Sequence, residues 1–198
     1  MKIKQFVNNV FTSNSFVVHD DRNAVIIDVG DFTPIQEYLV SQGLALRAVF
    51  ITHTHYDHIY GVGDLMAAYP EVPVYTSEFG KRAFGEPGWN FSRYHDTHIC
   101  IISDKIISLQ DNVQVSAFEG VSILAIRTPG HDESCMSYLC DNALFTGDSY
   151  IPDVKVIATF PRSDKTLARH WYDRLSAMSD KYDIYPGHGP VRIIDPDQ

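Results

Sequence analysis

The sequence predicts an α+β fold in which two β-sheets pack face to face and helices cover their outer faces. Three observations lead there. In the first half, β-branched runs alternate with helical segments, and in the second a meander of short strands is followed by a helix and a last strand. With 198 residues, 44% of them hydrophobic, the chain can bury a core shared by two such halves. Residues 1–198 are therefore read as one domain of two packed αβ halves.

The elements follow in order. SFVVHD (15–20) and NAVIIDVG (23–30) are strands joined through DDRN as a hairpin. TPIQEYLVSQG (33–43) reads as a helix with Thr33 as N-cap, Pro34 at the first helical position, Gln36 closing a capping box and Gly43 as the stop. RAVFIT (47–52) is a buried strand, GDLMAAYP (63–70) a short helix ended by Pro70, and VPVYTS (72–77) another strand. From Phe84 to Ile102 no period holds, and Gly, Pro, aromatics and two isolated histidines accumulate, so this stretch is read as a loop acting as a lid. DNVQVSAFE, VSILAIRT, MSYLCD and ALFTGD are the meander strands. DKTLARHWYDRLSAMSD (164–180) is a helix with Leu167, Trp171, Leu175 and Met178 along its apolar face, and YDIYPGHGP closes with a strand and a tight loop.

Composition excludes several classes of function. The formal charge is −9, from 16 Lys+Arg against 25 Asp+Glu, and no basic tract is present, so no nucleic-acid partner is expected. Cys100, Cys135 and Cys140 are odd in number and lack CxxC spacing, which argues against a disulfide framework. The N-terminal residues have no signal-peptide core, and no apolar segment is long enough for a membrane span. A cytoplasmic protein acting on a small molecule is the expectation; oligomeric state is left open.

The informative stretch is VFITHTHYDHIYG, which sets three histidines and an aspartate within six positions after an apolar strand. On a strand, His53 and His55 project to one side while Thr52 and Thr54 face the other. Asp57 and His58 follow where the strand yields to a turn that can swing them toward the same point. His131 in RTPGHDES, Asp148 in LFTGDSY and His188 in YPGHGP each follow an apolar strand, each with glycine immediately before it. Glycine there suits a sharp turn at a strand end. All these segments lie at strand exits, a way to build one shared metal site.

HTHYDH, followed in order by His131, Asp148 and His188, resembles the HxHxDH signature and later ligands of the metallo-β-lactamase-fold superfamily of metal-dependent hydrolases. The similarity runs from NSFVV through YPGHGP. TPGHDESCMSY, FTGDS and the NFS at Asn90–Ser92 look most like its glyoxalase II, or hydroxyacylglutathione hydrolase, branch. The resemblance implies a four-layer αβ/βα sandwich with metals at one sheet edge. It implies that His53, His55 and His131 hold one divalent ion, that Asp57, His58 and His188 hold a second, and that Asp148 bridges both. Zinc is the first choice for such donors, with iron or manganese also accepted.

Two such ions would generate a hydroxide near neutral pH and polarise a carbonyl, with Asp57 orienting the nucleophile and then protonating the leaving group. Hydrolysis of an ester-like bond is implied, a thioester first. Two-domain members of the branch carry a helical C-terminal domain that helps bind glutathione; this chain ends ten residues after His188, which leaves hydrolysis without that domain. Arg162 and Lys165 are the nearest cations for a substrate carboxylate, and Tyr150 is placed in the pocket lining. His95 and His98 are read as lid residues, Cys135 as a small buried residue, and Asp28 as a hydrogen-bond partner of a ligand histidine or a neighbouring turn. The rival readings are a persulfide dioxygenase with one iron, a lactonase or phosphodiesterase, an RNA-processing nuclease, a flavodiiron module and a non-enzymatic metal-stabilised binding module. The acidic balance opposes the nuclease, and His55 stands where the flavodiiron pattern has glutamate.

Overall fold

The structure is a computed structural model describing residues 1–194. Its first sheet has the order β1 (Lys2–Val7), β2 (Asn14–His19), β3 (Asn23–Ile27), β4 (Ala45–Phe50), β5 (Val74–Ser77) and β6 (Ile106–Leu109). The first three strands are antiparallel neighbours, and β3 to β6 run parallel. The second sheet has the order β11 (Asp183–Pro186), β10 (Ala143–Gly147), β9 (Met136–Cys140), β8 (Val121–Arg127) and β7 (Val113–Phe118). β7 to β10 form the expected antiparallel meander, and β11 joins β10 in parallel.

Alternation along the strands explains the layers, since central strands such as β2, β3 and β10 bury both faces. Phe16, Val18, Val25, Ile27 and Phe50 point from the first sheet onto Ile123, Ala125, Tyr138 and Phe145 of the second. Val17, Ile26, Val49 and Val74 point the other way, onto α1 (Phe32–Ser41) and α3 (Val62–Ala68) through Ile35, Leu39, Val62 and Leu65. Leu144 and Ile184 meet Leu175 of α5 (Lys165–Met178) on the far side. The result is helix, sheet, sheet, helix: the four-layer sandwich. Between β4 and α3 lies the one-turn α2 (Tyr56–Ile59), and α4 (Glu78–Ala83) follows β5.

Several local expectations are corrected. The hairpin of β2 and β3 forms, with the Asp20 carboxylate accepting from Arg22 and Asn23 N–H at 2.7 and 2.6 Å. α1 begins at Phe32, so Thr33 lies inside the helix and neither caps it nor closes a box with Gln36; Asp31 is the residue before it. Burial of Phe32 against Tyr69 sets that earlier start. On α5 the buried residues are Ala168 and Leu175, while Leu167 is 40% exposed, so the packed stripe is rotated from the expected one. β1, β6 and α4 are additions; β1 is an edge strand whose lysines protect it from further pairing.

Phe50 is fully buried between the sheets and packs on Tyr75 and Tyr138 at ring-centroid distances of 5.1 and 5.3 Å. Phe50→Ala is expected to cost about 3–5 kcal/mol in urea unfolding; a loss under 1 kcal/mol would mean that the two sheets do not share this core.

Candidate metal centre

Four strand exits converge at one edge of the sandwich. His53 and His55 follow β4, and α2 then turns Asp57 and His58 back beside them. His131 sits between β8 and β9, Asp148 directly after β10, and His188 after β11. Backbone bonds tie these exits across the two sheets. Met136 N–H donates to the Thr52 carbonyl at 2.7 Å, and Asn14 N–H to the Gly187 carbonyl at 2.7 Å. The glycines before the ligands are needed for different reasons. A Cβ at Gly187 would lie 2.2 Å from Oδ1 of Asp148. Gly130, at φ +147°, packs so tightly on α5 that a Cβ would lie 2.3 Å from the Ala168 nitrogen.

The seven residues singled out by the sequence come together. His53, His55 and His131 present nitrogens that all lie within 4.8 Å of one another, as do the ligand atoms of Asp57, His58 and His188. Asp148 touches both groups. Its Oδ2 is 4.0 Å from His53 Nε2, 3.5 Å from His131 Nε2 and 3.6 Å from His188 Nε2, and its Oδ1 is 3.6 Å from His58 Nε2. Asp57 Oδ2 lies 3.2 Å from His188 Nε2 and 3.4 Å from His58 Nε2.

The outward nitrogens of four of the five histidines, all but His55, are held by an oxygen. His58 Nδ1 donates to Asp28 Oδ2 at 2.9 Å, His131 Nδ1 to the Ile157 carbonyl at 2.8 Å, and His188 Nδ1 to the Phe11 carbonyl at 3.1 Å. The Thr52 hydroxyl donates to Asp28 Oδ2 at 2.7 Å, so it accepts from His53 Nδ1 at 3.2 Å. The inward nitrogens crowd together: His55 Nδ1 and His131 Nε2 lie at 3.0 Å, His58 Nε2 and His188 Nε2 at 3.4 Å. His53 Nε2 and Asp148 Oδ1 are buried with no hydrogen-bond partner. Crowded imidazole nitrogens beside two carboxylates, with orphaned acceptors among them, are what divalent cations satisfy, so this ligand set fits a pair of metal ions. Asp28 plays the role read from the sequence, holding His58 and the Thr52 N–H (2.7 Å) from beneath.

Asp132 is the residue that sequence reasoning missed. Its Oδ1 accepts from the Ser134 N–H and hydroxyl at 2.9 and 2.6 Å, which leaves Oδ2 facing His55 Nε2 and Arg162 Nε, each at 3.6 Å. All three of those facing atoms are buried and lack a closer partner. They converge on one oxygen, so a few tenths of an ångström would satisfy them together. The signal was present as an acid next to His131 in GHDES, but sequence adjacency did not reveal that it would back a different histidine.

Beside the cluster opens a cavity of about 410 Å³, lined by Phe11, His55, Tyr56, Asp57, Phe91, His95, His131, Asp148, Ile151, Val154, Lys155, Val156, Ile157, Phe160 and His188. The 84–102 segment forms one side of it. Asn90 is fully buried and pins that segment, its amide donating to the Ala83 and Ile99 carbonyls at 2.9 and 3.0 Å, while Ser92 Oγ accepts from Ile99 N–H at 2.8 Å. Between them, Phe91 packs on the His55 ring at 4.7 Å. The NFS motif therefore aims an aromatic ring at the site. His95 lines the cavity, stacked on Tyr56 at 3.7 Å, and His98 is exposed.

The residues expected to contact substrate are placed otherwise. Tyr150 is 2% exposed and packs with Leu144, Leu175 and Ile184 under α5, outside the cavity, because the chain turns outward after Asp148. Arg162 is engaged already: its guanidinium lies 5.6–5.8 Å from the ring centroids of Phe79, Trp89 and Phe91 and donates to the Trp89 carbonyl. It clamps the lid to Asp132 and offers no free charge to a substrate carboxylate. Lys165 opens α5 and faces a neighbouring groove with Lys155 and Arg169.

A sandwich of this layout with a histidine and aspartate cluster at one sheet edge defines a class of metal-binding proteins. The pattern of the metallo-beta-lactamase superfamily matches residues 8–188, and the chain belongs to that superfamily. A probable metallo-hydrolase of Streptococcus pyogenes serotype M6 is 29% identical over 98% of this chain and 86% of its own. A hydroxyacylglutathione hydrolase of Photobacterium profundum is 30% identical over 87% of this chain, which spans only 60% of that enzyme's length. Among solved structures, the BLEG-1 B3 metallo-beta-lactamase superposes with a TM-score of 0.85 at 24% identity, covering 96% of this chain and 93% of its own, a likeness of fold. Family and relatives together indicate a metal-dependent hydrolase. Among the described residues, no helix is long and apolar enough to cross a membrane.

Charge in the metal-free cluster sets the pH dependence of loading. Burial disfavours a proton on His58, but Asp57, Asp28 and Asp148 outweigh it and push the imidazole up to about 10. His188 is likewise raised against its burial, chiefly by its hydrogen bond to Asp57. His53 is driven well below the usual imidazole range by burial and by the surrounding histidines, and stays neutral. At neutral pH a metal must therefore displace protons from His58 and His188, so affinity should rise with pH, by about tenfold per unit for each proton released. Titration calorimetry in buffers of different ionisation enthalpy should show proton release at pH 7; heats independent of the buffer would refute it. Asp132→Ala should leave the protein folded by circular dichroism yet weaken binding of one metal equivalent by about 10- to 100-fold in a chelator competition. Unchanged affinity for both equivalents would remove Asp132 from the support of His55.

Proposed function

We propose that the chain is a binuclear metal-dependent hydrolase of ester-like bonds, with a thioester as the preferred substrate and zinc as the preferred metal. The observation that carries this is the pair of ligand triads meeting at Asp148, with His53 Nε2 and Asp148 Oδ1 buried and without a hydrogen-bond partner. His53, His55 and His131 would hold one ion, Asp57, His58 and His188 the other, and Asp148 both. When bound, such ions lower the pKa of water and draw electron density from a substrate carbonyl.

The chain's own groups do the rest. Asp57 lines the cavity, and although burial favours its protonated form, His58 and His188 hold its carboxyl well below the usual range. An Asp57 held ionised this firmly is a weak base: it can orient attacking water by accepting a hydrogen bond, and it carries no proton to give to a strongly basic leaving group. That asymmetry favours a leaving group that departs as an anion. A thiolate, with its conjugate acid near pKa 8.5, does so far more readily than an alkoxide or an amine. Hydrolysis of a thioester breaks the carbon–sulfur bond with water and yields a carboxylate, a thiol and a proton, which passes to solvent. The relatives named as hydroxyacylglutathione hydrolases support the same class, while the cavity lining supplies no cluster of cations for a glutathione-like peptide.

The test is metal analysis followed by a panel of a thioester, an oxygen ester, a lactone, an amide and a phosphodiester sharing one acyl or aryl group. Two metal equivalents per chain and fastest turnover of the thioester are expected, with Asp148→Ala lowering both occupancy and kcat/KM by at least about 100-fold. Full activity in the metal-stripped protein, or an Asp148 variant with unchanged metal and rate, would overturn the proposal.

A further inference from the structure

We infer that the substrate carries an extended apolar acyl group, bound by the hydrocarbon wall of the cavity beside the metal-ligand cluster; this deepens the hydrolase reading above and rests on it. The wall is built from Phe11, Phe91, Ile151, Val154, Ile157 and Phe160. It comes from three separate segments: the β1–β2 connection, the lid, and the strap that follows β10.

Exposure gives the first argument. Phe11 is 68% exposed, Ile157 56% and Val154 49%, and all three border this one cavity. Single exposed hydrophobic residues are ordinary, but their gathering at the mouth of a site marks a surface that becomes covered. Because the gathering is continuous with the catalytic carboxylates, its occupant is part of the substrate.

Backbone conformation gives the second. Phe11 and Phe91 both lie in the left-handed region, at φ 51° and 61°. Bulky residues rarely sit there, because the side chain crowds the backbone. Here the surroundings fix both: the Phe11 carbonyl accepts from His188 Nδ1 at 3.1 Å, and Phe91 is clamped between the anchored Asn90 and Ser92. Two independent loops hold strained phenylalanines so that their rings meet the same space, a pattern found where side-chain placement matters more than relaxed backbone.

Polarity gives the third. Outside the histidines and the two aspartates, the lining offers Tyr56 and Lys155 as its other hydrogen-bonding side chains. A peptide, sugar or nucleotide on the acyl side would leave most of its donors and acceptors facing hydrocarbon, a desolvation cost that a plain chain does not meet.

The experiment uses the metal-loaded protein and S-acyl thioesters of one small thiol, from acetyl to decanoyl. kcat/KM is expected to rise by about fourfold per methylene until the wall is covered and then to level off. The double variant V154S/I157S should flatten that slope. In parallel, straight-chain carboxylates from acetate to decanoate are titrated by calorimetry, where the head group is constant and only the chain changes. A slope near zero or negative in both series would overturn the apolar-acyl inference. Affinity that climbs with chain length while no thioester is turned over would uphold the inference and sink the thioesterase reading instead.

Discussion

The repulsion among inward-facing donors at one sheet edge is the constraint on which the rest of the structure depends. Five imidazole nitrogens and two carboxylates are brought within contact distance around Asp148, in a place where water is largely excluded. Such a cluster destabilises itself unless cations occupy it, since buried acceptors without partners are costly. The fold tolerates this because the outward side of four of the five rings is fixed by an oxygen: Thr52, Asp28, the Ile157 carbonyl and the Phe11 carbonyl hold His53, His58, His131 and His188 in turn. Those four rings are held with their second nitrogens aimed at the centre.

That requirement explains features that would otherwise look incidental. The two sheets are joined near their shared edge by backbone bonds from Asn14 to Gly187 and from Met136 to Thr52, which fix the distance between ligands of different halves. Asp132 faces both His55 and Arg162, and Arg162 in turn is enclosed by Phe79, Trp89 and Phe91. The segment covering the cavity is thus mechanically connected to a histidine of the cluster. A change in lid position would be felt at His55 through two side chains.

The local chemistry of the site was legible in the sequence where it was written compactly. HTHYDH, and the glycines preceding His131, Asp148 and His188, announce strand exits with donors, and the meander and closing helix announce the second half of the sandwich. What the sequence concealed depends on tertiary packing. Thr33 has the chemistry of a cap, but burial of Phe32 starts the helix one position ahead of it. Tyr150 follows a ligand directly and yet turns into the packing beneath α5, while Arg162, a free cation by sequence, is consumed by aromatic rings and Asp132. Phe11 and Phe91 look like ordinary loop aromatics until their left-handed backbones and shared cavity are seen. Gly80 and the short length of α4 similarly hid that helix from a periodicity reading.

Two kinds of surface thus meet at one opening: a cluster suited to cations and water, and a hydrocarbon wall suited to a chain. Their adjacency is what gives an ester-like bond, with a polar reacting carbon and an apolar tail, a natural orientation there. The most direct measurement is anomalous diffraction at the zinc edge from crystals of the metal-loaded protein. Two peaks flanking the Asp148 carboxylate, one beside His53, His55 and His131 and the other beside Asp57, His58 and His188, are the predicted result. A single peak, or ions bound away from Asp148, would contradict it.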